Sequence, residues 1–305
     1  MHFKRIAPIK GNGMFSKNSQ ALALAAIATA IWGVSFSLMK YSLEFYGALA
    51  LLALRFSLAA LIAFAYLAVK KEKITGQEWR AGGIAGIVLF LAFATQTYGQ
   101  ALISPSQSAF ITGLYIIFVP IMAAGIARKL PDSKTAIAVI FGLAGLWLLT
   151  GGIAGAGTGE ELTFLCAIGF AAHIIVLSRY PAVSALRMTA VQIAAVALLS
   201  SAAAALFEGG NIPVHPSALA AIAALSLFAT LFAYFAQTFA QQIISAEKIA
   251  MIFISEPVFA YLFSWLMLGE MLGGTQVAGC ALILAGMAAA QLAGFKKKNK
   301  PIKLQ

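Results

Sequence analysis

Apolar runs of bilayer-crossing length follow one another along almost the whole chain, and this constrains the fold more than any other feature. A helix that crosses the hydrocarbon core needs roughly 20 mostly apolar residues. Ten runs come near that length: 21–39, 45–69, 81–102, 107–127, 135–152, 162–178, 188–207, 217–240, 249–268 and 274–294. Their separators are short and carry turn residues or charge, as in Lys70–Gly76, Gly151–Glu161 and Glu208–Pro216. No separator can house a soluble domain. The runs lack the sustained polar stripe of a surface helix in a water-soluble protein. They also lack the period-two alternation of a membrane β-barrel.

Composition agrees. The chain is 61% hydrophobic and 10% charged, whereas soluble domains are about a quarter charged. The expected fold class is an all-α integral membrane protein with ten transmembrane helices. The net charge of +11 could by itself suggest nucleic acid. Its distribution argues otherwise, because the basic residues sit in short clusters between apolar runs, as in cytoplasmic loops of membrane proteins. Cys166 and Cys280 lie inside apolar runs and read as small buried hydrophobes, not as a disulfide or metal framework.

The N-terminal Ala28-Thr29-Ala30 resembles a signal-peptidase site, but the apolar run continues through Trp32, Val34 and Phe36 to Met39. It is read as an uncleaved first span. With both termini placed in the cytoplasm, every lysine and arginine except Lys40 and Arg55 falls in a cytoplasmic segment. The external loops then carry Glu44, Glu160, Glu161, Glu208 and, at its edge, Glu270. This asymmetry supports ten spans with both ends inside. The expected location is a multi-pass cell membrane protein, in the inner membrane if the source is bacterial.

An internal repeat divides the chain. Residues 96–104 and 237–245 share the pattern Gln-Thr-aromatic-x-Gln and a final Ile-Ser, at a constant offset of 141. Val119-Pro120 and Glu256-Pro257 follow, and are matched with the second copy one helical turn shorter. Each half then holds five spans, and an odd number inverts the second half. Inverted repeats are a recurrent plan of secondary transporters. The domains expected are a basic cytoplasmic tail (1–20), a first five-helix repeat (21–152), a second (162–294) and a basic cytoplasmic tail (295–305).

The chain resembles the EamA family of the drug/metabolite transporter superfamily. The likeness is carried by Ile31-Trp32-Gly33-Val34-Ser35-Phe36, Leu54-Arg55-Phe56, Phe110-Ile111-Thr112-Gly113-Leu114-Tyr115 and Ser255-Glu256-Pro257-Val258-Phe259. Leu268-Gly269-Glu270 and Gly279-Cys280-Ala281-Leu282-Ile283-Leu284-Ala285-Gly286 complete it. The resemblance implies a basket of two inverted five-helix repeats that moves amino acids, nucleosides, other metabolites or drugs, often outward. The sixth span has no counterpart of the Trp32-Gly33 pair.

Arg55 and Glu256 are the formal charges well inside the spans, about 15 Å and 10 Å deep at 1.5 Å per residue. An intramembrane charge costs roughly 2.5–3.5 kcal/mol, so each should face the bundle interior. Either could contact substrate or a proton; a structural role for each stands beside that. Gln96 with Gln100, and Gln237 with Gln241, each lie on one helix face and read as gates or as fold-holding hydrogen bonds. Trp32, Phe36, Tyr115 and Tyr234 are candidates for a cavity wall. His173 could carry a proton or hold a structural hydrogen bond. Pro120 and Pro257 are hinge candidates. Gly82, Gly86, Gly279 and Gly286 suit close helix packing.

No Walker loop, metal-ligand spacing or nucleophile–base motif is visible. The expectation is therefore a non-enzymatic secondary active transporter, an exporter, with no cofactor, no metal and no nucleic acid. Its partners would be a small-molecule substrate, the lipid bilayer and protons, and a homodimer is compatible. The rivals are a passive channel or facilitator and, more distantly, an intramembrane lipid-modifying enzyme.

Overall fold

The computed structural model describes residues 17–128, 130, 133–152, 157–209, 215–244 and 246–295. The basic clusters at Lys4, Arg5 and Lys10 and at Lys296–Lys303 lie outside them, as do Lys129, residues 153–156 and Ser245 of the repeat pattern.

Every regular element among the described residues is helical. The first half comprises α1 (Lys17–Ser42), α2 (Ala48–Val69), α3 (Gly76–Leu102), α4 (Pro105–Thr112), α5 (Tyr115–Ile126) and α6 (Ser133–Thr150). The second comprises α7 (Thr158–Ser178), α8 (Ala185–Phe207), α9 (Pro216–Ala224), α10 (Ala233–Ile243), α11 (Ala246–Phe253), α12 (Glu256–Leu268) and α13 (Gly274–Phe295). A π-helical segment, Leu225–Phe232, joins α9 to α10.

Local chemistry sets several of these ends. The Thr75 hydroxyl accepts from the Glu78 amide while Glu78 returns to the Thr75 amide, a reciprocal cap that starts α3. Ser104 and Gln107 do the same for α4, with Pro105 in the first turn where its missing N–H is harmless. Gly269 ends α12 with φ of 67°, a left-handed conformation suited to glycine.

Among the described residues, seven helical stretches are long and apolar enough to cross a bilayer: α1, α2, α3, Pro105–Ile126, α7, α8 and Pro216–Ile243. Thr135–Thr150, Glu256–Leu268 and Gly274–Ala289 are apolar but shorter. The ten runs of the sequence thus become seven full-length spans and three shorter apolar helices, partly because the run 249–268 is divided between α11 and α12. Leu61, Leu91, Leu198 and Phe228 are each more than half exposed. Water would penalise such an apolar exterior, whereas lipid accommodates it. The chain is a multi-pass membrane protein.

Each of two helix breaks precedes one of the hinge-candidate prolines, Pro120 and Pro257. The backbone tightens before each proline. Leu114 N donates to Ile111 O at 3.1 Å and Ile117 N to Leu114 O at 2.9 Å, a three-residue spacing that separates α4 from α5. Ser255 N donates to Ile252 O at 3.3 Å between α11 and α12. These breaks stand 141 residues apart (112 to 253, 115 to 256), so the two copies are equal in length here. Pro120 lies inside α5 and Pro257 in the first turn of α12, so the two prolines do not occupy matched positions.

Packing is symmetric under exchange of the halves. α3 packs on α7, as the α10 stretch packs on α1; α7 packs on α4 and α5, as α1 packs on α11 and α12. The self-matched pairs α2–α8 and α6–α13 also pack directly. Glycine permits the closest of these approaches. A Cβ on Gly279 would lie 2.6 Å from Gly145 O and 2.6 Å from Leu149 N. One on Gly86 would lie 2.7 Å from Gln192 O.

Candidate functional site

Between the halves lies a small buried cavity with room for water centres of about 40 Å³, enough for a few waters. Its wall draws Trp32 and Phe36 from α1, Arg55 from α2, Phe93 and Gln96 from α3, and Thr112 and Tyr115 from α4 and α5. The other half supplies Phe170 and His173 from α7, Tyr234 and Gln237 from α10, Phe253 from α11 and Glu256 from α12. Aromatic rings meet edge-on around it: Trp32 to Phe253 at 5.3 Å, Phe93 to Phe170 at 5.3 Å and Phe93 to Tyr234 at 5.9 Å.

Arg55 is 1% exposed. Its Nε donates to Thr230 Oγ1 at 2.6 Å, Nη2 to Ala229 O at 3.2 Å and Nη1 toward Met39 Sδ at 3.2 Å. The guanidinium stands 4.9 Å from the Phe93 ring centre and 5.3 Å from that of Phe56, a cation–π seat. The π segment makes this possible. There the Ala233 amide donates to Phe228 O, five residues back. This shift releases Ala229 O, which accepts from both Arg55 and Trp32 Nε1, the latter at 3.0 Å. Single π turns often mark functional sites.

Tyr115 and Glu256 open their helices on the same cavity. The Tyr115 hydroxyl donates to Glu256 Oε2 at 2.9 Å. Glu256 is in the first turn of α12, where the helix dipole favours a negative charge. Arg55 and Glu256 therefore share one chamber, but each has its own partners, and no ion pair joins them among the described residues.

The glutamine pairs divide between two levels. Gln96 and Gln237 line the cavity. Gln100, one turn along α3, donates to Phe36 O at 2.6 Å. Gln241 is buried, and neither its Oε1 nor its Nε2 has a partner among the described residues. His173 Nε2 is 2.9 Å from Gln192 Oε1. Cys166, buried beside the site, stands 3.4 Å from Thr112 Oγ1.

Sequence reading passed over Phe93, Phe170, Phe253, Thr230 and Gln192. A signal existed for two of them. Phe93 lies three residues before Gln96 and shares its helix face. Gln192 is the single amide in the apolar run 188–207. Thr230 carried no signal, since the segment Leu225–Phe232 contains neither glycine nor proline.

Polar clusters close both ends of the bundle. At one end, Lys40 Nζ donates to Gln100 O, Ala101 O and Ile103 O at 2.9–3.0 Å. Beside it, Glu270 accepts from the hydroxyls of Ser104, Ser106 and Ser264. Glu208 accepts from the Leu49 and Ala50 amides and from Tyr98, tying α8 to the start of α2. At the other end, Arg187 bridges Glu78 at 2.7 Å and Glu72 at 2.5 Å.

A helical membrane bundle of two matched halves, enclosing an aromatic chamber with one cation and one carboxylate, has the build of a solute transporter. The chain belongs to the EamA-like transporter family, whose model matches it twice, over residues 19–151 and 158–290. It is 29% identical over 263 residues to an uncharacterized transporter of Archaeoglobus fulgidus, covering 86% of this chain and 82% of that protein. A second uncharacterized transporter of that organism is 24% identical over 285 residues, covering 86% of this chain and 95% of its own length. A chain solved by crystallography shares the fold with a TM-score of 0.68 at 20% identity, over 92% of this chain and 99% of its own.

Proposed function

We propose that this protein is a secondary active carrier that moves a small metabolite, amino acid or drug-like solute across the membrane by alternating access, in the export direction. The observation that carries the reading is the Tyr115–Glu256 contact at the wall of the central cavity. The two residues are 141 positions apart, the offset of the sequence repeat, so the chamber lies where the halves meet. Transporters built from repeats hold their substrate at that junction.

In this reading the chain crosses the bilayer ten times, as two inverted five-helix repeats over 21–152 and 162–294. The pairs α4–α5 and α11–α12 each make one crossing. Both termini are cytoplasmic, and the Lys40–Glu270 end faces outward. Arg55 holds an anionic part of the solute, and the aromatic wall of Trp32, Phe36, Tyr115 and Tyr234 packs its apolar part. Glu256 exchanges a proton with the solute's passage. Gln100 and Gln241 mark the two gates, beyond Gln96 and Gln237. Pro120 and Pro257, next to the matched breaks, ease the hinge motion. The partners are the solute, protons and the lipid bilayer. A homodimer is compatible with this reading.

Solute flux into proteoliposomes of the purified protein tests this. Saturable uptake that accelerates when unlabelled solute is preloaded on the far side is expected. Conductance at channel rates, or conversion of lipid without solute flux, would overturn it. Cysteine labelling from each side of a vesicle tests the orientation, with positions 17–19 and 157–160 expected on opposite faces.

A further inference from the structure

A short chain of buried polar groups determines which nitrogen of His173 carries the proton. It starts at Thr238, whose hydroxyl donates back to Tyr234 O at 2.7 Å. With its proton committed, Thr238 Oγ1 can only accept. It accepts from Thr189 Oγ1 and from Gln192 Nε2, both at 3.3 Å. Gln192 must then turn its carbonyl oxygen the other way, toward His173 Nε2 at 2.9 Å. A carbonyl oxygen cannot donate, so His173 Nε2 holds a hydrogen. In the neutral ring Nδ1 is then a bare acceptor. Gln192, Thr189 and Thr238 are each 2% exposed or less, so bulk water does not compete for the chain.

His173 is 1% exposed and forms part of the cavity wall. No protein group among the described residues bonds its Nδ1. Arg55, in the same wall, has five N–H groups and uses three of them on Thr230, Ala229 and Met39. Two residues of the chamber wall thus keep bonding capacity to spare, N–H groups on Arg55 and one lone pair on His173.

We propose that His173 is a specificity residue that accepts a hydrogen bond from the cargo through Nδ1, so that the chamber selects organic anions bearing an O–H or N–H donor near the charged group. This rests on the reading of the chamber as the solute site. An anion without the donor leaves the Nδ1 lone pair without a partner on the cargo, and sites built to hydrogen-bond a substrate group discriminate against analogues that lack it.

Two measurements test it on the full-length protein in lipid nanodiscs. The first is nitrogen NMR of the ¹⁵N-histidine-labelled protein, which contains 3 histidines; the His173→Asn variant assigns the signal. A neutral ring protonated on Nε2 is expected, and a mixture of tautomers in Gln192→Leu. A ring protonated on Nδ1 in the wild type overturns the proposal without touching the carrier reading.

The second measurement compares three probes matched in shape: 3-phenyllactate, its 2-methoxy ether and 3-phenylpropionate. Phenyllactate should bind about tenfold more tightly than the other two, the effect of one buried hydrogen bond. It alone should shift the Nδ1 resonance. In His173→Phe the three should bind alike. Equal affinities in the wild type, or no binding of any probe, overturn the assigned cargo class. Saturable flux of any other solute would still support the carrier, so the two failures are distinguishable.

Discussion

Tyr115 donates its phenolic hydrogen to Glu256 at 2.9 Å across the central cavity, and each residue is the first of a helix that begins after a break. Their separation of 141 is also the separation of Gln96 from Gln237. In a two-fold arrangement only residues near the axis touch their own counterparts. Here the counterparts have diverged into a donor and an acceptor. Two glutamates at this point would repel, and the pair as it stands satisfies one carboxylate oxygen without a second charge.

Replacing Tyr115 with Phe removes that donor and leaves Glu256 short of a partner. The expected cost is about 1–3 kcal/mol, read as a lower thermal midpoint in detergent. Glu256→Gln keeps an acceptor for the Tyr115 hydroxyl, so its stability should remain near wild type while proton-coupled flux is lost. Undiminished proton-coupled flux in Glu256→Gln would rule the carboxylate out of the transport cycle.

Arg55→Lys should reduce transport of anionic solutes at least about tenfold. An ammonium cannot reproduce the planar fork that reaches Thr230 and Ala229 while lying against Phe93. Uptake measured beside circular dichroism separates a lost site from a lost fold. Wild-type flux in the Lys variant would show that charge alone suffices.

Glu208 serves the fold away from the chamber. Its carboxylate takes the Leu49 and Ala50 amides at 3.0 and 2.8 Å, at the start of a helix whose N-cap Gly47 has no side chain to offer. Glu208→Ala is expected to lower stability by about 1–2 kcal/mol and to leave solute affinity within about twofold. Thermal unfolding and a binding titration on the same preparation check both.

Gly279→Ala should destabilise the α6–α13 contact by about 1–3 kcal/mol. The added methyl meets backbone atoms of Gly145 and Leu149, which cannot swing aside. Gly83→Ala is the control, because a Cβ there meets nothing within 4 Å. It should be neutral, or stabilising by up to about 1 kcal/mol.

Glu270 joins Ser104 and Ser106 at the start of α4 to Ser264 near the end of α12, so it ties the halves together at the Lys40 end. Glu270→Ala should loosen that end. In a background lacking Cys166 and Cys280, a cysteine at Phe36 should react at least about tenfold faster with an impermeant thiol reagent, given the strength of hydrogen bonds to a charged group. Unchanged reactivity would mean that other contacts keep this end shut.

The membrane class and the division into two halves were legible in the sequence, because hydrocarbon imposes long apolar runs on any chain that crosses it and a repeat leaves matching residues at a fixed offset. Arg55 and Glu256 stood out for the same reason: a charge in an apolar run is costly and therefore conspicuous. Which groups each would meet was decided only in three dimensions. Arg55 rests on a carbonyl released by the π turn at Leu225–Phe232, and no residue type there announces a π turn. The breaks fall before Tyr115 and Glu256, with Pro257 in the turn that follows one of them and Pro120 inside the helix that follows the other. The proton on His173 follows from Thr238 through Gln192, residues 46 apart in sequence. Periodicity along one helix cannot report such a contact, since it records which face is buried and not what lies opposite.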